Sequence, residues 1–105
     1  FPISQLTNLI DLDISTTGIE ELTFLSNLVN LEKLVVSGTN IKSLKGIEGL
    51  VNLVELDFSS TDVRSLKPVE GIVGLKKVTC FNTRLSPKAV EAFMFSFPTC
   101  EVRYY

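Results

Sequence analysis

The side chains here that could do chemistry are few, and histidine is not among them: the 105 residues hold no His, two cysteines and 12 carboxylates. Without an imidazole, a serine, threonine or cysteine nucleophile lacks its usual base. Thr17, Thr39, Thr61 and Thr83 recur every 22 residues, which suits a repeated structural hydroxyl better than a catalytic one. Cys80 and Cys100 fall short of a zinc set, which takes four ligands in a closed site. The carboxylates remain. Asp13 and Asp57 are 44 residues apart, or two repeats, and two rungs of a parallel sheet span roughly 9–10 Å. That separation suits an inverting glycosidase pair. The residue between them is Val35, however, and an open, solvated face has no pocket to raise one carboxyl's pKa. Gly46, Gly49, Gly71 and Gly74 fall in the return turns and do not form a phosphate-binding loop. Catalytic residues, metal ligands and a cofactor are therefore not expected.

The elements that must position these groups follow from one period. Leu9, Leu31, Leu53 and Leu75 are spaced by 22 with no insertion. Leu12, Leu34, Leu56 and Val78 share the fourth position, and Ile14, Val36, Phe58 and Cys80 the sixth. Alternation of this kind marks a short strand with one buried face. The second half of each repeat turns to apolar residues at every third position: Ile19, Leu22, Leu25, Leu28, then Ile41, Leu44, Ile47, Leu50, then Val63, Leu66, Val69, Ile72. Period three predicts 3₁₀ or extended returns. One strand and one return cannot bury their own apolar face, so successive repeats must stack around a shared core.

The pattern LxxLxLxxTxIxxLxxLxxLxxL resembles the 22-residue class of leucine-rich repeats, which includes bacterial internalins and the leucine-rich regulator of protein phosphatase 1. The similarity covers residues 3–85. It implies an α/β solenoid: five short parallel strands on a concave face, 3₁₀ or extended returns on the convex face, and a C-terminal capping helix. The ninth position, commonly Asn in that class, is Thr in all four copies; the resemblance places it in a buried polar ladder, where a hydroxyl can both donate and accept. A single leucine-rich repeat domain over 1–105 is expected, with 1–8 ending a preceding repeat, 9–30, 31–52 and 53–74 full repeats, and 75–85 the strand and turn of the fourth. A capping helix over 86–97 and a final strand within 98–105 complete it.

The two ends differ. Shifted by 22, Ile3 falls on Leu25 and Leu6 on Leu28, so the chain opens halfway through a repeat, as a piece of a longer protein would; alternatively Phe1 and Pro2, or a second chain, cover the open end. At the other end Ser86 is a candidate N-cap, Pro87 a first helical residue and Pro98 a stop. Val90, Phe93 and Phe97 share one helical face. Carrying the shift of 22 through the helix matches Phe97, Cys100 and Val102 with Leu75, Val78 and Cys80. The two thiols are then roughly 8 Å apart at Cα, too far for a disulfide, and both are expected as free core thiols. Free thiols suit a reducing compartment and survive outside one when buried. The resemblance admits a bacterial cell-surface or secreted protein as well, so location stays open.

Outward strand positions form columns. In the same register the third position reads Asp11, Lys33, Glu55, Lys77, Thr99; the fifth Asp13, Val35, Asp57, Thr79, Glu101; the seventh Ser15, Ser37, Ser59, Phe81, Arg103. The alternating third column can pair with itself. The small serines leave room for a partner, and Phe81 with Arg103 is a possible stacking pair. Asp13, Lys33, Val35, Ser37, Glu55, Asp57, Ser59, Lys77, Thr79, Phe81, Glu101 and Arg103 are the candidate partner-binding residues. Elsewhere, Val29, Val51 and Val73 form a column expected to be semi-buried, and Phe95 either faces solvent or tucks under Tyr104 and Tyr105.

Composition narrows the function. Leu, Ile, Val and Phe make 40 of the 105 residues, too many for a disordered chain. Ten basic against 12 acidic residues, a net charge of −2, lack the basic footprint of a nucleic-acid binder. No apolar run reaches the roughly 20 residues of a membrane span, so membrane insertion is not expected, nor is a small-molecule substrate. The leading reading, resting largely on the resemblance, is a non-catalytic module that binds a protein partner across the strand face. The alternative is a structural spacer or regulatory segment of a larger bacterial protein, exported or not.

Overall fold

In the computed structural model, residues 7–104 are described. Five three-residue strands run parallel in chain order: β1 (Asp11–Asp13), β2 (Lys33–Val35), β3 (Glu55–Asp57), β4 (Lys77–Thr79) and β5 (Glu101–Arg103), with the helix α1 (Pro87–Ser96) between β4 and β5. The strands are short because each repeat allots only its third to fifth residues to the sheet. The ladder nonetheless runs beyond them: the Ile14, Val36 and Phe58 N–H groups donate to the Val35, Asp57 and Thr79 carbonyls at 2.8–3.0 Å. The expectations for Phe1, Pro2, Ile3, Leu6 and Tyr105 lie outside the described residues.

The period-three half-repeats form tight returns. Thr23–Leu25 and Lys67–Val69 are 3₁₀ turns, and three-residue bonds continue through the apolar positions: Leu28 to Leu25, Leu50 to Ile47 and Ile72 to Val69, each 3.0–3.1 Å. Every third residue then faces inward, and Leu22, Leu25, Leu28, Leu44, Ile47, Leu50, Leu66, Val69 and Ile72 are all buried with Leu34 and Leu56 of the strands.

Between strand and return the chain must reverse, and the eighth position does it with a left-handed residue: Thr16, Gly38, Ser60 and Asn82, with φ from 55° to 67°. The next residue is the repeated threonine. The Thr17, Thr39 and Thr61 hydroxyls donate to the carbonyls of Ile14, Val36 and Phe58 at 2.8, 2.8 and 2.6 Å, and Thr83 to Cys80 at 3.4 Å. Thr39 and Thr61 are buried, Thr83 half-buried and Thr17 exposed on the first layer. A second polar series closes each repeat onto the last: Asn30 Nδ2 donates to the Thr7 carbonyl at 3.0 Å and Asn52 Nδ2 to that of Val29 at 2.9 Å.

The C-terminal end corrects one expectation. α1 forms as read, with Ser86 Oγ accepting from the Ala89 N–H at 3.1 Å, Pro87 in the first turn, and Val90 and Phe93 buried; the Phe93 and Phe97 rings lie 4.8 Å apart. Yet β5 pairs Lys77 with Glu101, Val78 with Val102 and Thr79 with Arg103, a shift of 24 and not 22. An α-helix advances about 1.5 Å per residue, less than a 3₁₀ or extended return, so the chain needs two more residues to come back to the sheet. Glu101 therefore belongs to the third column and Arg103 to the fifth, one column earlier than predicted. Cys80 and Cys100 are buried and free. The valine column also differs: Val29, Val51 and Val73 are all exposed, Val73 almost fully.

Gly46 has φ 112°, and a Cβ there would stand 2.6 Å from the Thr23 Cα and 2.8 Å from the Leu22 carbonyl carbon. The bulky Phe24 return of the preceding repeat, itself packed on the core, leaves only a glycine's space at this level. Gly46→Ala is expected to lower unfolding free energy by about 3 kcal/mol or more through backbone displacement, measured by urea titration. Conversely, Ser60→Gly relieves a left-handed L-residue and should add about 0.5–1 kcal/mol after the glycine's greater chain entropy is deducted.

Candidate functional site

The sheet face presents three columns. With the observed register the third reads Asp11, Lys33, Glu55, Lys77, Glu101, and the fifth Asp13, Val35, Asp57, Thr79, Arg103. Charge in the third alternates through all five rungs. Lys33 Nζ stands 4.0 Å from Glu55 Oε2 with both side chains about half exposed, a contact worth at most about 1 kcal/mol in such solvent. The fifth column ends in a cation, not in the acid that a shift of 22 placed there.

Two of the acids are bound into the frame. Asp13 Oδ1 accepts from both the hydroxyl and the N–H of Ser15, and these bonds hold its carboxyl below the usual value, with a smaller contribution from Lys33. Asp57 Oδ1 likewise accepts from the Ser59 N–H at 3.0 Å, and Ser59 Oγ accepts from the Phe81 N–H at 3.0 Å. Ser59 is thus a tie between repeats, where the sequence suggested empty room. Phe81 is partly exposed. The proposed partnership of Phe81 with Arg103 is not formed: Arg103 stands beside Thr79, and its Nε bonds Glu101 of its own strand.

Of the twelve candidates, Asp13, Lys33, Phe81, Glu101 and Arg103 are exposed, while Val35, Ser37, Glu55, Asp57, Ser59, Lys77 and Thr79 are half-buried. Around the middle strands the face dips into a hollow of about 190 Å³ walled by Lys33, Val35, Glu55, Asp57, Lys77 and Thr79. That is below the ~300 Å³ at which sites for small organic ligands begin. Asp13, held anionic by two hydrogen bonds, is a poor proton donor, and among the described residues no group of three His, Cys, Asp or Glu could hold a metal ion. Chemically, the arrangement offers fixed charges and two apolar outposts, Val35 and Phe81.

No family model and no curated protein matches the sequence. Solved structures do match in shape. Internalin C2 from Listeria monocytogenes strain 4b F2365 aligns over 98% of this chain with a TM-score of 0.84 at 23% identity. The fold is a leucine-rich repeat solenoid. Internalin inlF of the same strain aligns over 97% with a TM-score of 0.70 at 19% identity, and the functional domain of InlJ from Listeria monocytogenes over 99% with 0.69 at 17%. This leucine-rich repeat chain spans 47%, 38% and 26% of those three chains respectively.

Behind the face, burial pushes the Cys80 thiol up to about 12, helped by the nearby charges of Asp57 and Cys100; Cys100 is raised too, by burial and then Glu101. An unfolded cysteine ionises near 9.0, so the folded state keeps protons that the unfolded chain releases. The stability linked to these thiols is whole below pH 9 and is lost as pH rises toward 12. The wild type's urea midpoint should therefore fall across this window more steeply than that of Cys80→Ala, and a thiol reagent at pH 8 should label Cys80 only after unfolding.

Proposed function

We propose that the chain is a protein-recognition module that holds a partner protein across the sheet face, chiefly through Lys33, Val35, Glu55, Asp57, Lys77, Thr79 and Phe81, with Asp13, Glu101 and Arg103 at the margins. One observation carries this reading. The side chains of the three middle strands stand on a backbone whose hydrogen bonds are already made within the sheet. Little ordering entropy is left to be lost on binding, which favours recognition by a preformed surface. Val35 and Phe81 provide apolar anchors amid charges that fix register, a division of labour common in protein interfaces. The leucine-rich repeat fold supports the coarse reading of a binding module, and the small size of the hollow on this face argues against small substrates.

The test is affinity capture by the purified chain with chemical cross-linking, then binding measured with the identified partner in pure form. Lys77→Glu combined with Phe81→Ala should weaken that partner at least tenfold. Val73→Lys, on the return side and almost fully exposed, should leave it unchanged. A partner whose affinity ignores the sheet-face pair, or drops only with the return-side variant, overturns the assignment.

A further inference from the structure

The sheet has two outer strands, β1 and β5, and among the described residues no strand lies beyond either. In β5 the Glu101 N–H donates to the Lys76 carbonyl at 2.8 Å, and the Arg103 carbonyl accepts from the Cys80 N–H at 2.7 Å. The backbone groups of a strand alternate sides from one residue to the next. Glu101 and Arg103 therefore turn theirs to β4, and the N–H and C=O of Val102 point out of the sheet. Glu101 and Arg103 are exposed and Val102 is half-buried. An open edge of this kind is a template for another strand.

The side chains of β5 select which strand that is. Glu101 and Arg103 stand side by side on the concave face, the Arg103 Nε bonded to Glu101 and both side chains about half exposed. We infer that the outer edge of β5 pairs antiparallel with β5 of a second copy of this chain, about a two-fold axis through Val102. Val102 then faces Val102 of the other copy as a hydrogen-bonded pair, in which the two residues exchange both N–H···O bonds. Only a residue with both groups directed outward can occupy that place. Glu101 of each copy lies directly opposite Arg103 of the other, in the non-hydrogen-bonded pairing that brings side chains closest, and the charges alternate around a square. A two-fold contact uses one patch twice, so each of these contacts is made from both sides. Charge also fixes the register, because a slip of two residues either way sets Arg103 against Arg103 or Glu101 against Glu101. The opposite edge is not self-complementary: antiparallel pairing of β1 with itself sets Asp11 against Asp13, acid against acid. Exposed ion pairs and a short strand make a weak dimer, with a Kd on the order of 100 µM. It joins two five-stranded sheets edge to edge, and it stands whether or not the sheet face binds a partner.

Sedimentation equilibrium of the chain from about 5 µM to 1 mM in low salt tests it. A monomer–dimer equilibrium is expected. Val102→Pro removes the outward N–H and leaves the bonds to β4 in place, a substitution that an edge strand tolerates, and it should weaken the dimer at least tenfold while the circular dichroism of the monomer is kept. Glu101→Arg and Arg103→Glu each gather like charges at the axis of a homodimer, and each should weaken self-association at least tenfold. Mixing these two variants should restore a dimer, because every cross-strand pair in the heterodimer is then of opposite charge. Should the proline variant fail to fold, the charge reversals and their mixture decide the question. A chain that stays monomeric to 1 mM overturns the proposal, as does a dimer indifferent to the charge reversals or to a folded Val102→Pro, one lost instead with Phe81→Ala on the sheet face, or a charge-swapped mixture that fails to associate.

Discussion

The structure depends on how the chain leaves each strand. After the sixth residue the backbone turns out of the sheet through a left-handed residue, and the inward-facing residue's carbonyl would be left in the apolar interior without a ladder partner. The threonine three residues on gives that carbonyl its hydrogen bond. A buried acceptor without a partner costs about 1–3 kcal/mol, repeated once per turn, and among the described residues no buried side-chain nitrogen or oxygen is left unpartnered. Because the same turn recurs, every strand starts in phase with the one before, and the leucines of successive repeats meet at the same level. The local bond sets the period, and the period builds the core.

That frame decides which face residues are free to act. Asp13 and Asp57 each hold, through one carboxylate oxygen, the serine two residues on, at the point where the strand ends, so their charge is presented at a fixed place. Ser59 in turn carries the Phe81 N–H. The unspent side chains are Lys77, Val35, Thr79 and the Phe81 ring, grouped around the central hollow. The third column largely neutralises itself by alternation, whereas charge in the fifth is uneven, with Asp13 and Asp57 toward one end and Arg103 at the other.

Most of the scaffold was legible because burial in a repeat has a simple sequence image: leucines at fixed spacing, with period two changing to period three. The N-cap at Ser86 and the buried face of α1 were equally direct. What failed to show is instructive. The β5 register depends on how many residues an α-helix needs to cover a distance that 3₁₀ returns cover in fewer, and two residues of error moved Glu101 and Arg103 each by one column. The left-handed eighth position is signalled by Gly38 and Asn82 but hidden by Thr16 and Ser60, which adopt it because the turn on either side is already fixed. Asn8, Asn30 and Asn52 recur at 22 just as the leucines do, a signal for the inter-repeat amide bonds that the louder apolar pattern obscured. Recurrence alone also misled: Val29, Val51 and Val73 repeat faithfully and yet point outward, because a column's regularity says that its members share an environment and not which environment it is.

A solenoid has no centre, and its energy is carried between neighbours, so the layers are not equal. Leu31, Leu34 and Val36 are fully buried, whereas Leu9, Leu12 and Ile14 in the first described layer are half-buried. At the other end α1 supplies Val90, Phe93 and Phe97 where a further return would have placed leucines. A helix covers that layer with one stripe only and must show its remaining faces to solvent. A 3₁₀ return, narrow and apolar at every third residue, has no comparable outer surface. The exchange of return for helix is therefore what lengthens the path to β5 and, by the same step, turns Phe95 outward, the most exposed aromatic among the described residues.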